Sequence, residues 1–292
     1  MIWFGGLLVL VAFGTGVYWF IRIKVLESQP DGYPTSGQPN AGAPDHATVV
    51  VCAGDSITHG NMGVDYVAML RGSLQAEGYY FFNAGINADL TFTLLRRIDD
   101  VVATQPNYVT LLIGANDLNA AVDARALKTY RKLGKLSATE TPNFDTFCAN
   151  YKQIIYRLKT QTNAQIGVCS IPIIGEDLAH QINLNADRYS AFLKDLCAQQ
   201  QLTYLPVREA MKEYLEHNPK KMGTPYAKTN MLVNMAVLRH YLAGTSWDLI
   251  SDSVGNALSH DNLHFNTRGA KIIADVTGSF LSASLHESFK IL

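Results

Sequence analysis

Residues 48–58 read TVVVCAGDSIT. Thr48–Cys52 is an unbroken apolar and β-branched run, ended by Ala53 and Gly54. A strand covered on both faces reads this way, whereas a half-buried strand alternates. The same grammar repeats along the chain. Residues 64–77 have helical spacing, and 80–83 read as a second strand. Over 91–103, Leu94, Leu95, Ile98 and Val101 share one helical face. Strands are expected at 108–113, 165–171 and 202–205, helices at 145–161 and 186–200, and a final helix from near Thr267. Apolar strands alternating with helices predict an α/β fold, a three-layer sandwich around a central parallel sheet of about five strands. Two stretches break the rhythm, 118–143 and about 209–260. Insertions of this kind gather near the site at the carboxyl ends of the strands.

The chain has 292 residues, of which 48% are apolar. Its 24 Lys and Arg against 25 Asp and Glu leave a net charge of −1. That balance excludes disorder, which needs low hydrophobicity and high charge. It also argues against a nucleic-acid partner, which calls for a basic surplus or stripe. None of the four cysteines forms a CxxC pair, so no zinc ribbon or redox motif is indicated. Cys52 and Cys169 sit in apolar runs and read as small buried hydrophobes.

Residues 2–21, IWFGGLLVLVAFGTGVYWFI, contain no charge. Twenty such residues can cross a hydrocarbon core of ~30 Å as a helix. Trp3 at one end, and Tyr18 and Trp19 at the other, fall where an aromatic belt would stand. Residues 1–25 are therefore expected to be a single-pass N-terminal membrane anchor. A cleaved signal peptide and a buried core helix are the competing readings; the absence of a basic leader disfavours the first. Arg22 and Lys24 would favour the cytoplasmic side, but two charges leave the side of the membrane open. Residues 26–47 read as a linker, with Pro30, Pro34, Pro39 and Pro44 interleaved with glycine. A flexible chain of that length holds its ends roughly 25 Å apart. The domain at 48–292 is accordingly expected to reorient freely, and to fold and act on soluble esters without residues 1–44.

Three segments carry chemistry. Ser56 follows the first strand, where a parallel sheet displays its ligands. A serine there can also be a helix N-cap. Asn116 follows the third strand, where its amide could donate to a developing oxyanion or serve in a turn. Asp261 precedes His264 by three residues in DNLHFN, ahead of the last helix. A serine hydroxyl needs a base in reach, and the base needs a partner to set its tautomer. The remaining histidines, His260 among them, read as surface or structural.

Together these segments resemble the SGNH (GDSL-type) hydrolase family over about residues 48–116 and 260–282, with GDSI in place of GDSL. The resemblance implies a flavodoxin-like fold and acyl transfer through a covalent acyl-serine. Ser56 would be the nucleophile, His264 the general base and Asp261 its partner. The oxyanion hole would comprise the Ser56 N–H, the Asn116 side chain and the N–H of residue 88. The family usually carries glycine five residues after the asparagine of its second block; counted from Asn83, that position here is Ala88. An alanine keeps the donor if its backbone angle suits a Cβ. That chemistry requires neither a metal nor an organic cofactor.

The implied activity is hydrolysis of a carboxylic ester, either a lipid ester or an acetylated glycan. An acyltransferase on the same residues and a membrane-tethered, non-catalytic binding protein are the alternatives. Tyr130, Phe144, Tyr226, Met231, Met235 and Tyr241 could line an acyl pocket or be ordinary packing. Lys128, Arg131, Lys132 and Lys135 form a basic stretch that reads as a solvated face, with an anionic head group as the alternative partner.

Overall fold

The first strand runs two residues beyond Cys52 in the computed structural model, as β1, Thr48–Gly54. The structure describes residues 15–16, 19–34, 42–218 and 223–288. The other strands are β2 (Tyr79–Gly85), β3 (Tyr108–Leu112), β4 (Gln165–Cys169) and β5 (Thr203–Leu205). They form one sheet in the order β2-β1-β3-β4-β5. Every neighbouring pair is parallel. Gly54 stands opposite Gly85 on one side and Leu112 on the other. The chain leaves β1 for β2 and then crosses to β3, so the sheet's switch point lies beyond β1 and β3. Open α/β sheets bind ligands in that crevice.

A π-helical turn, Arg22–Leu26, precedes β1. The α-helices that follow are, in chain order, α1 (Ser56–His59), α2 (Tyr66–Leu74), α3 (Thr91–Arg96), α4 (Ile98–Ala103) and α5 (Ala115–Val122). Next come α6 (Ala124–Lys132), α7 (Phe144–Gln161), α8 (Gln181–Gln200) and α9 (Val207–His217). The last are α10 (Thr229–Ala243), α11 (Trp247–Val254) and α12 (Thr267–Ser288).

Side chains alternate across a strand, so β1 feeds two cores. Val49, Val51 and Ala53 pack on one face, in a cluster with Leu94, Ile98 and Phe147 of α3, α4 and α7. Val50 and Cys52 pack on the other, in a cluster with Tyr66 and Leu70 of α2 and Ile273 of α12. Full burial of each Val, Leu, Ile or Phe among them contributes about 1.5–3 kcal/mol. This double cover is why β1 reads as a continuous apolar run. Cys52, Cys169 and Cys197 are buried, Cys148 is partly so, and all four are free thiols.

The single helix expected over 91–103 is two helices, broken at Arg97 (φ −109°, ψ 15°). The break lets the guanidinium reach the Asp89 carboxylate at 2.7 Å and the Gly54 carbonyl at 2.9 Å. The two insertions fold as α5 and α6 and as α9 to α11. Lys135 departs from the solvated face expected of it: it donates to Asp89 at 2.8 Å.

Most of the anchor expected at 1–25 lies outside the described residues. No helix among the described residues is long and apolar enough to cross a membrane. The last residue of the expected anchor, Val25, and the linker as far as Tyr33 behave differently from a free chain. Val25 is fully buried, and its carbonyl accepts from Asn61 Nδ2 at 3.0 Å and from Asn87 Nδ2. The Gly32 carbonyl accepts from the Asn83 N–H at 3.1 Å, and Tyr33 donates to Asp100 at 2.9 Å. These bonds to distant parts of the domain are invisible to a composition argument. They dock residues 25–33 on the domain that the linker was expected to leave free.

Candidate active site

The turn after β1 leaves no room for a side chain at Gly54: a Cβ there would meet Thr58 Oγ1 at 2.2 Å and the Leu112 carbonyl at 2.4 Å. The chain turns directly into α1, whose N-cap is Asp55, not Ser56. The Asp55 carboxylate accepts the Ile57 N–H at 2.9 Å. The capping role that Ser56 might have filled is thus taken, and its hydroxyl points elsewhere. Ser56 Oγ lies 2.8 Å from His264 Nε2. Burial pushes the Asp55 carboxyl up to about 7.

His264 sits in a tight loop between α11 and α12, closed by a bridge between Ser259 and Phe265. Asn262 takes a left-handed conformation (φ 75°) at its tip. Asp261 Oδ1 accepts the N–H groups of Leu263 at 2.9 Å and His264 at 2.7 Å, so the carboxylate organises its own loop. Its Oδ2 meets His264 Nδ1 at 2.7 Å. Burial disfavours charge at both residues, but their mutual attraction wins. Asp261 is held at about 2, and His264 is raised above the ordinary histidine value. With Nδ1–H committed to Asp261, Nε2 faces Ser56 as the acceptor.

Two supports were not legible in the sequence. Glu176, in the segment after β4, accepts the backbone N–H groups of Ala257, Leu258 and Ser259 at 2.7–3.1 Å. This staples the histidine loop to the sheet. His260, read as surface or structural, is fully buried and stacks on Trp247 (centroids 4.5 Å apart, 25°). Its other side lies against His264 at 6.1 Å and 19°. The opposite face of Trp247 carries His240 at 3.9 Å.

Asn116 opens α5 just past β3, near Ser56 at the switch point. Its Nδ2 donates to the Asp89 carbonyl at 2.8 Å, and its Oδ1 accepts from Tyr130 at 2.6 Å. Tyr130 accepts from Asn119 at 3.3 Å, and Asn119 accepts from Tyr226. A hydrogen-bond relay from the second insertion therefore orients the Asn116 amide. Ala88 has φ 61°, the left-handed region where a Cβ is strained.

Ser56, Ala88, Asn116 and His264 meet in one cavity of about 300 Å³. Its walls are mostly apolar, with Ile21, Val25 and Leu26 on the N-terminal segment and Val233, Val237 and Leu238 on α10, and carry the polar side chains of Asn87, Asn119, Asn230 and Asn234 as well. Of the residues considered for an acyl pocket, Tyr130 lines it. Phe144 packs instead on Tyr189 at 5.1 Å, and Met231 and Met235 face solvent. A second depression, beside Asp187 and Glu209, shares no residue with this one.

The profile of the GDSL-like Lipase/Acylhydrolase family matches residues 52–272. The chain belongs to that family. This GDSL-like hydrolase is an ester hydrolase by class. Its fold is similar to that of an acetyl xylan esterase, AlAXEase (TM-score 0.57, 21% identity), with 79% of this chain and 98% of that one covered. It is also similar to Axe2, an acetylxylan esterase from Geobacillus stearothermophilus (0.54, 21%; 79% and 92%). A third likeness is LAE5, an alpha/beta hydrolase from the metagenome of Lake Arreo, Spain (0.57, 19%; 81% and 94%). At these identities the likeness is one of fold. No curated protein matches the chain.

Proposed function

We propose that this GDSL-like hydrolase cleaves carboxylic esters through an acyl-Ser56 intermediate. The observation that carries the reading is the continuous line of hydrogen bonds Ser56–His264–Asp261 opening into one cavity. Ser56 Oγ attacks the ester carbonyl carbon as His264 Nε2 takes its proton. The carbonyl oxygen becomes an oxyanion, stabilised by the Ser56 and Ala88 N–H groups and the remaining Asn116 amide N–H. Collapse breaks the bond to the alcohol, which leaves with the proton from His264. Water then attacks acyl-Ser56, giving its proton to His264, and the second collapse returns that proton to Ser56 and releases the acid. Asp261 stabilises the imidazolium in both halves.

The uncharged stretch 2–21 supports a second element of the reading, a single membrane anchor ahead of the domain. The lipid and the acetylated-glycan readings of the substrate both fit this chemistry. The acetylxylan esterase neighbours lend some support to the second.

Hydrolysis of p-nitrophenyl esters of rising acyl length tests the chemistry, with Ser56→Ala beside the native protein. A loss of roughly 10³-fold or more is expected in the variant. An undiminished rate would rule the mechanism out. Product analysis with an added alcohol separates hydrolysis from transfer. Alkaline carbonate extraction of membranes tests the anchor, which predicts that the full chain stays in the pellet.

A further inference from the structure

The wall of the cavity and the uncharged N-terminal stretch are parts of the same piece of chain. Ile21, the last residue of the stretch, lines the cavity that holds Ser56. Val25, one turn on, is buried against Met62 and Val237. Phe20 meets Tyr241 of α10 edge to face at 6.3 Å, and the Tyr241 hydroxyl donates to the Asn61 carbonyl at 2.7 Å. The end of the apolar stretch is thereby held at the cavity, with no free linker between them.

Exposed apolar side chains also stand beside that cavity. On α10, Met231, Met235, Leu238 and Leu242 are 39–51% exposed. Their spacing of four, three and four places them on one helical stripe. Leu238 belongs both to this stripe and to the cavity wall. Trp19, Phe20 and Ile23 on the N-terminal segment are 50%, 39% and 55% exposed, and Leu133 at the cavity is 37% exposed. Scattered exposed apolar residues are ordinary, whereas a group of them rimming a pocket marks an interaction surface. Its occupant is indicated by where the uncharged chain ends. A stretch able to span a bilayer that terminates in the pocket wall brings this rim to the lipid surface.

We infer that the cavity opens onto the bilayer and takes the acyl chain of a membrane-resident ester, which reaches Ser56 along the stripe of α10. This rests on the acyl-Ser56 reading and on the anchor. The acyl chain would pass from lipid to an apolar cavity without crossing water. The ester carbonyl would stop among Ser56, Ala88 and Asn116.

The test uses the full chain in phosphatidylcholine vesicles, with p-nitrophenyl palmitate carried in the vesicles and p-nitrophenyl acetate in solution. Two variants are compared with the native protein. Met231→Asp/Met235→Asp charges the stripe without touching the cavity wall. Ile21→Trp fills the cavity from its N-terminal wall. The charged pair is expected to leave acetate turnover within about twofold, because a soluble ester needs no lipid contact, and to cut palmitate turnover about tenfold, because carboxylates resist the bilayer. Ile21→Trp is expected to lower the palmitate-to-acetate ratio about tenfold by steric exclusion. A ratio unchanged in either variant overturns the inference. Acetate turnover that persists in Ser56→Ala would instead overturn the acyl-Ser56 reading, so the two failures are distinguishable.

Discussion

The Glu176 carboxylate accepts the Leu258 backbone N–H at 2.7 Å, tying the segment after β4 to the loop that carries Asp261 and His264. The same oxygen also accepts from Ala257 and Ser259 at 2.9 and 3.1 Å. A backbone donor left without a partner costs about 1–3 kcal/mol when buried. Glu176→Ala is therefore expected to destabilise the protein by at least about 3 kcal/mol, the lower bound summed over these donors. Glu176→Gln, which keeps an acceptor oxygen, should lose less than half as much. Urea denaturation of both variants checks the order. Equal losses would mean that the negative charge, and neither the acceptor oxygen nor the packing, carries the effect.

Tyr130 acts on the Asn116 amide through its hydroxyl at 2.6 Å. Tyr130→Phe keeps the ring and leaves the amide held only by its bond to the Asp89 carbonyl. Misaimed oxyanion donors weaken transition-state binding more than substrate binding. Turnover on acetate esters is expected to fall about tenfold with KM little changed. A rise in KM at constant kcat would place Tyr130 in substrate binding instead.

Ala88 holds a φ of 61° that costs a Cβ about 1–2 kcal/mol. Ala88→Gly relieves that strain but loosens the unfolded chain by about 0.4–1 kcal/mol. The net change in stability should be within about 1 kcal/mol, with activity retained. Ala88→Val, β-branched in the same conformation, should lose both stability and activity. Thermal midpoints and ester turnover of the pair decide whether the backbone angle or the side chain governs this donor.

The base must be neutral to accept the Ser56 proton, so kcat/KM should rise with pH as His264 deprotonates. Burial favours the neutral ring, but the Asp261 charge and hydrogen bond outweigh it, placing the midpoint above 6.5. In Asp261→Asn, burial acts with far less opposition and the midpoint should move down, with turnover falling roughly 10³–10⁴-fold. Stability follows the same linkage. The raised His264 contributes stability that is complete below about pH 6.5. That contribution is lost as pH rises through the higher folded value. The depressed Asp261 contributes above about pH 4, and loses its share as pH falls through about 2. A pH–rate profile with its midpoint at or below 6.5 would contradict the pairing.

Much of the fold was legible because burial on two faces leaves a one-dimensional trace. The run TVVVC reads as a strand covered on both sides, and the helix faces at Leu94 and Ile98 repeat at helical spacing. Part of the site was legible for a related reason. Ser56 and Asn116 stand at the ends of strands, and Asp261 and His264 lie three residues apart in one loop. The split at Arg97 was not legible, because it follows from an ion pair with Asp89 and a bond to Gly54. Glu176, Tyr130 and the His260–Trp247 stack were hidden for the same reason: each works through partners on other elements.

The sequence by itself determined the parallel sheet and the family, and it pointed to Ser56, Asn116, Asp261 and His264, which the fold gathers at one place. Those properties depend on side-chain periodicity and on short spacings that the backbone preserves. Tertiary structure alone decided that a relay from Tyr226 aims Asn116, and that the supposed linker docks through Gly32 and Tyr33. Each of these is a hydrogen bond or close contact set by how elements pack in space, and composition carries no record of such partners.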